Sequence, residues 1–255
     1  MSQTQVYFVG AGPGDPDLIT VKGRRLLSEA DVVIYAGSLV NPALLAATRE
    51  ACEIHNSASM TLQEVIEVMQ KAVAAEKMVD RLHTGDPSIY GAIQEQIDCL
   101  NQLGIRWEVI PGVSSFLASA AALGQEYTLP GISQTVIITR MEGRTPVPDR
   151  EKIRSLAEHQ ATMCIFLSVH MFADLVRDLM EGGYPADTPV AVVEKASWPD
   201  QRIFRGTLTT IADQLAAAGV NRTAMVIIGK VLDGDYEKSR LYAPEFTHMF
   251  REAKP

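Results

Sequence analysis

The chain has 255 residues, 47% of them hydrophobic and 21% charged, with a formal net charge of -8. That length supports one large domain or two ordinary ones, and the apolar content excludes a disordered chain, which combines low hydrophobicity with high charge. The acidic balance argues against a nucleic-acid partner, which calls for a basic face, and no apolar run nears the roughly 20 residues that cross a bilayer. Cys52, Cys99 and Cys164 are widely spaced and odd in number, and the opening MSQTQVYFVGAG has no basic segment leading into a long apolar one. Reduced thiols in the cytoplasm, with no membrane contact, are the expectation.

In chain order, strands are predicted at Val6–Val9, Val32–Tyr35, Met78–Leu82 and Trp107–Ile110 from short β-branched runs. Between them, Asp17–Glu29, Leu62–Ala74 and Gly91–Leu103 carry apolar residues at helical spacing. This alternation predicts an α/β fold with a mainly parallel sheet and helices on its faces. Further strands are predicted at Thr135–Thr139, Thr162–Leu167, Val190–Val193, Arg202–Phe204 and Ala224–Val231, with helices at Met171–Met180 and Thr209–Ala218. The short gap around Trp198–Asp200 predicts antiparallel pairing of the strands beside it. The division is placed near Pro111–Gly124, giving domains of residues 1–113 and 114–240 and a polar tail at 241–255.

The first predicted strand runs into Gly10-Ala11-Gly12-Pro13-Gly14-Asp15-Pro16. Glycine admits positive φ and close approach of a ligand, and open parallel sheets bind ligands beyond the carboxyl ends of their strands. A nicotinamide dinucleotide is the first alternative, as in an NAD-dependent dehydrogenase. It fits poorly, because the spacing is GxGxG, the prolines remove amide donors, and Asp31 precedes its strand instead of ending it. A turn that needs glycine and touches nothing is the plainer alternative. A second loop, His83-Thr84-Gly85-Asp86-Pro87-Ser88-Ile89-Tyr90-Gly91, offers Asp86 or Ser88 as a helix cap. A third, Pro111-Gly112-Val113-Ser114-Ser115, is another strand-to-helix turn.

VGAGPGDPDLIT at 9–20, ADVVIYAGSLV at 30–40, HTGDPSIYGAIQEQ at 83–96 and PGVSS at 111–115 together resemble the tetrapyrrole methylase family over nearly the whole chain. TRMEGRTPVP at 139–148, KASWPDQ at 195–201 and RLYAPEFTHMFR at 240–251 narrow the resemblance to its cobalamin-pathway members, with the sirohaem-pathway methylase as a rival inside the family. The resemblance implies two α/β/α domains with a ligand cleft between them, S-adenosyl-L-methionine as methyl donor, S-adenosyl-L-homocysteine as product, an anionic tetrapyrrole as acceptor, and a homodimer. By matching motif, Pro13, Thr84, Gly85, Asp86, Ile89, Tyr90, Ser114 and Ser115 would bind the cofactor, joined by Leu167, Ser168, Ala196, Thr223, Ala224 and Met225. Many relatives carry Met where this chain has Ser168.

Methyl transfer from a sulfonium asks mainly for orientation, worth roughly 7–11 kcal/mol in well-aligned systems, and this fits the lack of a Ser-His-Asp or Cys-His set. Asp86, Asp15 or water could take the proton released by the acceptor carbon. Arginine suits the carboxylates of such an acceptor, so Arg140, Arg144 and Lys195 are expected to form a basic island, against the plain alternative of solvated surface charge. Tyr35 and His83 are further candidates for substrate contact. Cys52 and His55 form a single C-x-x-H pair, so no protein-bound metal is expected.

Overall fold

The computed structural model describes residues 5–234 and 236–253, so residues 1–4 of the first expected domain, 235 of the second and 254–255 of the expected tail lie outside the described residues. By internal contacts the chain forms two compact units. The first comprises Met1–Ala118 with Lys195–Gln201, and the second Ser119–Glu194 with Arg202–Pro255.

In the first unit, β1 (Val6–Gly10), β2 (Val32–Tyr35), β3 (Glu53–Asn56), β4 (Val79–His83) and β5 (Trp107–Ile110) form one sheet in the order β3-β2-β4-β1-β5. Every pair in it is parallel. Helix α1 (Val21–Glu29) packs Leu26 and Leu27 on one face with Val9, Val33 and Leu82. On the other face, α2 (Leu62–Ala74) and α3 (Ile93–Gln102) bring Val65, Met69, Ile97 and Leu100 against Val6, Phe8 and Ile34. A capping box starts α2: Thr61 Oγ1 accepts from Glu64 N at 3.3 Å while Glu64 Oε2 accepts from Thr61 N at 2.7 Å. Helix α1 begins later than its periodicity suggests. Asp15 caps a separate 3-10 turn at Pro16–Leu18, and Thr20 then caps α1 through Gly23 N at 3.1 Å.

Helix α4 (Ser115–Leu123) contains the boundary between the units. The second unit holds β6 (Val136–Arg140), α5 (Ile153–Ala157), β7 (Thr162–Phe166), α6 (Phe172–Glu181), β8 (Pro189–Glu194), β9 (Arg202–Thr207), α7 (Ile211–Ala218) and β10 (Ala224–Ile228). Its sheet runs β6-β7-β10-β8-β9. Only β6 and β7 pair in parallel, and β8 and β9 pair antiparallel across the short gap noted in the sequence. Met163, Ile165, Leu175, Leu179, Val192, Leu215 and Val226 form its core. Both units are therefore α/β, with the first wholly parallel.

Candidate active site

Strand order puts β4, β1 and β5 side by side, so the three glycine loops that follow them share the carboxyl edge of one sheet. The loops bond to one another. Ala11 N donates to His83 O at 2.7 Å, Gly12 N to Gly85 O at 3.2 Å, and Gly85 N to Gly12 O at 2.8 Å. A Cβ on Gly10 would lie 2.5 Å from Gly112 Cα, and one on Gly112 would lie 2.1 Å from Gly85 O. Glycine is demanded here by backbone meeting backbone, a reason that no single turn reveals. Gly85 also needs its left-handed φ of 63°.

Asp86 links the second and third loops. Its Oδ2 accepts from Gly112 N at 2.8 Å, and its Oδ1 accepts from Ser88 N at 2.9 Å and from Ser88 Oγ. Burial opposes the charge, but these donors outweigh it and hold the carboxyl below its ordinary value. The helix-capping role offered for Asp86 or Ser88 is not what the fold uses. α3 begins at Ile93 behind Ala92, which caps without a side-chain bond, and Tyr90 and Ala92 are both left-handed. That extra turn demands glycine at 91, where a Cβ would meet Pro87 O at 2.2 Å. Asp15 uses Oδ1 to accept from Asp17 N at 2.9 Å.

Thr84 Oγ1 and His83 Nε2, beside the cradle, are buried without a hydrogen-bond partner. Burial, with Arg81 adding a like charge, pushes His83 down to about 3, so its imidazole is neutral near pH 7. Arg81 donates to Gln96 Oε1 at 3.1 Å and to Ile34 O at 3.2 Å. Its neighbour Asp80 is fully buried with neither carboxyl oxygen bonded, and burial pushes that carboxyl well above the usual range. Sequence spacing marked neither Arg81 nor Asp80, because both sit inside a strand whose other positions read as ordinary core.

Lys195–Gln201 packs with the first unit. Trp198 Nε1 donates to Pro13 O at 3.0 Å, and Ser197 Oγ accepts from Asp15 N at 3.0 Å. Asn41 Nδ2 donates to Gly14 O at 2.8 Å. None of these three side chains was a candidate in the sequence. The KASWPDQ motif was visible, but a bond between residues 185 apart leaves no spacing to read. Ala196 is buried beside them, and Tyr35 ends β2 half-buried with its carbonyl accepting from Ser57 Oγ at 3.1 Å.

In the second unit, Leu167 is left-handed and 54% exposed at the end of β7, while Ser168 is fully buried. The Ser168 hydroxyl donates to Phe166 O at 2.6 Å and accepts from Met141 N at 2.9 Å, so the fold itself occupies it. Thr223 is left-handed just before β10, followed by half-buried Ala224 and buried Met225. Arg140 braces the next loop by donating to Met141 O, Thr145 O and Pro146 O at 3.1–3.3 Å. Arg144 is exposed in that loop. Lys195, in the first unit, pairs with Asp200. Two of the three expected clamp residues thus have internal partners. Asp31, the acid considered for a dinucleotide ribose, accepts from Met78 N at 2.8 Å and pairs with Arg49.

The family model described as Tetrapyrrole (Corrin/Porphyrin) Methylases matches residues 5–212. The chain belongs to this family. Similar proteins include the cobalt-precorrin-4 C(11)-methyltransferase of Methanocaldococcus jannaschii, 57% identical over 98% of this chain and 96% of that one. The precorrin-4 C(11)-methyltransferase of Pseudomonas aeruginosa is 48% identical over 96% and 98%. Among solved structures, a cobalt precorrin-4 methyltransferase matches with TM-score 0.88 and 47% identity over 90% of this chain and 96% of that one. The uroporphyrin-III C-methyltransferase of Thermus thermophilus, complexed with S-adenosylhomocysteine, matches with TM-score 0.76 and 31% identity over 90% and 99%. These likenesses establish the tetrapyrrole methylase fold. No helix among the described residues of this tetrapyrrole methylase is long and apolar enough to cross a membrane.

Proposed function

We propose that this tetrapyrrole methylase transfers a methyl group from S-adenosyl-L-methionine to C11 of cobalt-precorrin-4. The carrying observation is the glycine cradle with Thr84 Oγ1 buried and unpartnered beside it. A buried hydroxyl without a partner costs roughly 1–3 kcal/mol, which a ligand hydrogen bond removes. Pro13, Thr84, Gly85, Asp86, Ile89, Tyr90, Ser114, Ser115 and Ala196 are the residues we assign to the donor from the first unit. Leu167, Ser168, Thr223, Ala224 and Met225 are those we assign from the second, with Ser168 contributing backbone only, because its hydroxyl is taken.

The bound donor supplies an electrophilic methyl group on a sulfonium. The protein's task is to orient the acceptor carbon in line and keep bulk water away, which favours rigid backbone over reactive side chains. Proton release from the ring falls to Asp15, which commits only Oδ1 to its cap, or to water, because Asp86 has both oxygens engaged. Arg144 is the residue assigned to a substrate carboxylate, with Arg140 holding its loop, and Tyr35, His83 and Lys195 as further contacts. The cobalt belongs to the substrate. The three free cysteines support action in the cytoplasm, and a homodimer is proposed with it.

Incubation with methyl-labelled donor and cobalt-precorrin-4 tests the reading. Label at C11 is expected, and label at another carbon, or none, overturns it. A second reading, metal-free precorrin-4 as substrate, is favoured by the name of the 48% identical Pseudomonas aeruginosa relative. Comparing kcat/KM for the two substrates in the same assay decides between them.

A further inference from the structure

We propose that Lys195–Gln201 is a clasp that presets the first glycine loop for the cofactor, with Trp198 as its positioning residue. This rests on the cofactor reading above. Prolines at 13 and 16 leave the loop few amides of its own, so side chains from elsewhere must fix its shape. Three do so: Trp198 on the Pro13 carbonyl, Asn41 on the Gly14 carbonyl, and Ser197 on the Asp15 amide, at 2.8–3.0 Å. Together they orient two successive peptide groups, Pro13–Gly14 and Gly14–Asp15, the second held at both its carbonyl and its amide, beside Gly12, which is itself bonded to Gly85.

The indole does more than donate a bond. It lies against Gly14 so closely that a Cβ there would sit 2.0 Å from Cδ1, 2.1 Å from Nε1 and 2.8 Å from Cγ, and those three are its nearest atoms. Gly14 is not left-handed, so its lack of a side chain answers to the ring and not to its own φ. The clasp is stiff. Lys195 and Ser197 hold φ of 50° and 69°, Ser197 N donates to Gln201 Oε1 at 2.7 Å, and Trp198 N donates to Lys195 O at 2.9 Å. Lys195 pairs with Asp200 and stands 6.0 Å from the Trp198 ring centre. Non-glycine residues in left-handed conformation persist only where surroundings over-determine them, and such sites cluster at ligand clamps.

The test is calorimetric titration of S-adenosylhomocysteine into the full-length wild type, Trp198→Phe, Gly14→Ala, Trp198→Gly and the Gly14→Ala/Trp198→Gly double variant, with ligand-free melting temperatures alongside. Trp198→Phe keeps an aromatic ring but loses the indole N–H and its hydrogen bond to Pro13 O, so Kd is expected to rise roughly two- to twelvefold. Its ligand-free melting temperature should stay near wild type, and in turnover KM for the donor should rise while kcat holds. Gly14→Ala should weaken binding strongly in the wild type yet add less than about twofold once Trp198→Gly has made room, a coupling that only contact between the two positions produces. Unchanged Kd in Trp198→Phe, or additive effects of the two glycine-site changes, overturns the clasp. A wild type that binds no S-adenosylhomocysteine overturns the cofactor reading and the clasp together, whereas binding by wild type beside an indifferent Trp198→Phe overturns the clasp alone.

Discussion

Asp86→Asn separates two roles that the sequence left open for this residue, a proton acceptor and a brace between loops. The carboxylate accepts from Gly112 N, Ser88 N and Ser88 Oγ, and offers no donor in return. An amide of the same shape must turn its NH2 toward one of those donors. One charge-assisted hydrogen bond is then lost, worth about 1.5–3 kcal/mol. If loop order is what the cofactor requires, Kd for S-adenosylhomocysteine rises roughly 10- to 150-fold. The pH dependence follows from the lowered carboxyl value. The bonds stabilise the fold fully above the ordinary carboxylate value of 3.8 and are lost as pH falls through the lowered one, so the deficit of the variant should be constant from about pH 5 to 8. Isothermal titration across that range, with single-turnover rates, provides the measurement. Unchanged affinity with a collapsed methyl-transfer rate would refute the brace and return Asp86 to the chemistry.

Gly112→Ala places a Cβ 2.1 Å from Gly85 O and 2.7 Å from Gly10 Cα, so both melting temperature and cofactor binding should fall. Gly104→Ala, with nothing within 4 Å of its added Cβ, should cost stability through its left-handed φ alone and leave binding intact by titration. Asp80 keeps its proton in the fold at pH values where the unfolded chain releases it, so its contribution to stability declines as pH rises from the ordinary carboxylate value towards the raised one. Asp80→Asn should remove that slope in denaturant titrations at pH 4–8 and be the more stable protein at about pH 7; an unaltered slope would count against the assignment. Arg144→Ala should raise KM for the tetrapyrrole and leave S-adenosylhomocysteine affinity unchanged, and a collapse of cofactor affinity would remove Arg144 from the substrate side.

Strands and helices with strong period were legible residue by residue. Val32–Tyr35, Trp107–Ile110 and Leu62–Ala74 coincide with β2, β5 and α2, because β-branched runs and the Thr61–Glu64 cap leave little choice. Strand β3 was not read. Its Glu-Ile-His-Asn sequence is an edge strand with mostly exposed side chains, so it lacks the apolar signature of its neighbours. Helix α4, SFLASAAAL, has no charged residue and only Ser115 and Ser119 as polar positions, and α5 spans five residues, too few to show a period. At the site, the glycine loops announced themselves as loops, but not that Gly10, Gly85 and Gly112 exist for one another. That reason appears only when parallel pairing sets β4 and β5 on either side of β1.

The first unit is not one continuous stretch of polypeptide. Seven residues inserted between β8 and β9 belong to it, and they hold the peptide groups of Pro13 and Asp15. A fragment cut near residue 118 would retain every strand of the parallel sheet and still lack Trp198 and Ser197. Supplying the missing heptapeptide in trans, or grafting it onto the fragment's end, becomes the natural way to ask how much of a half-protein's ligand recognition is borrowed from distant sequence.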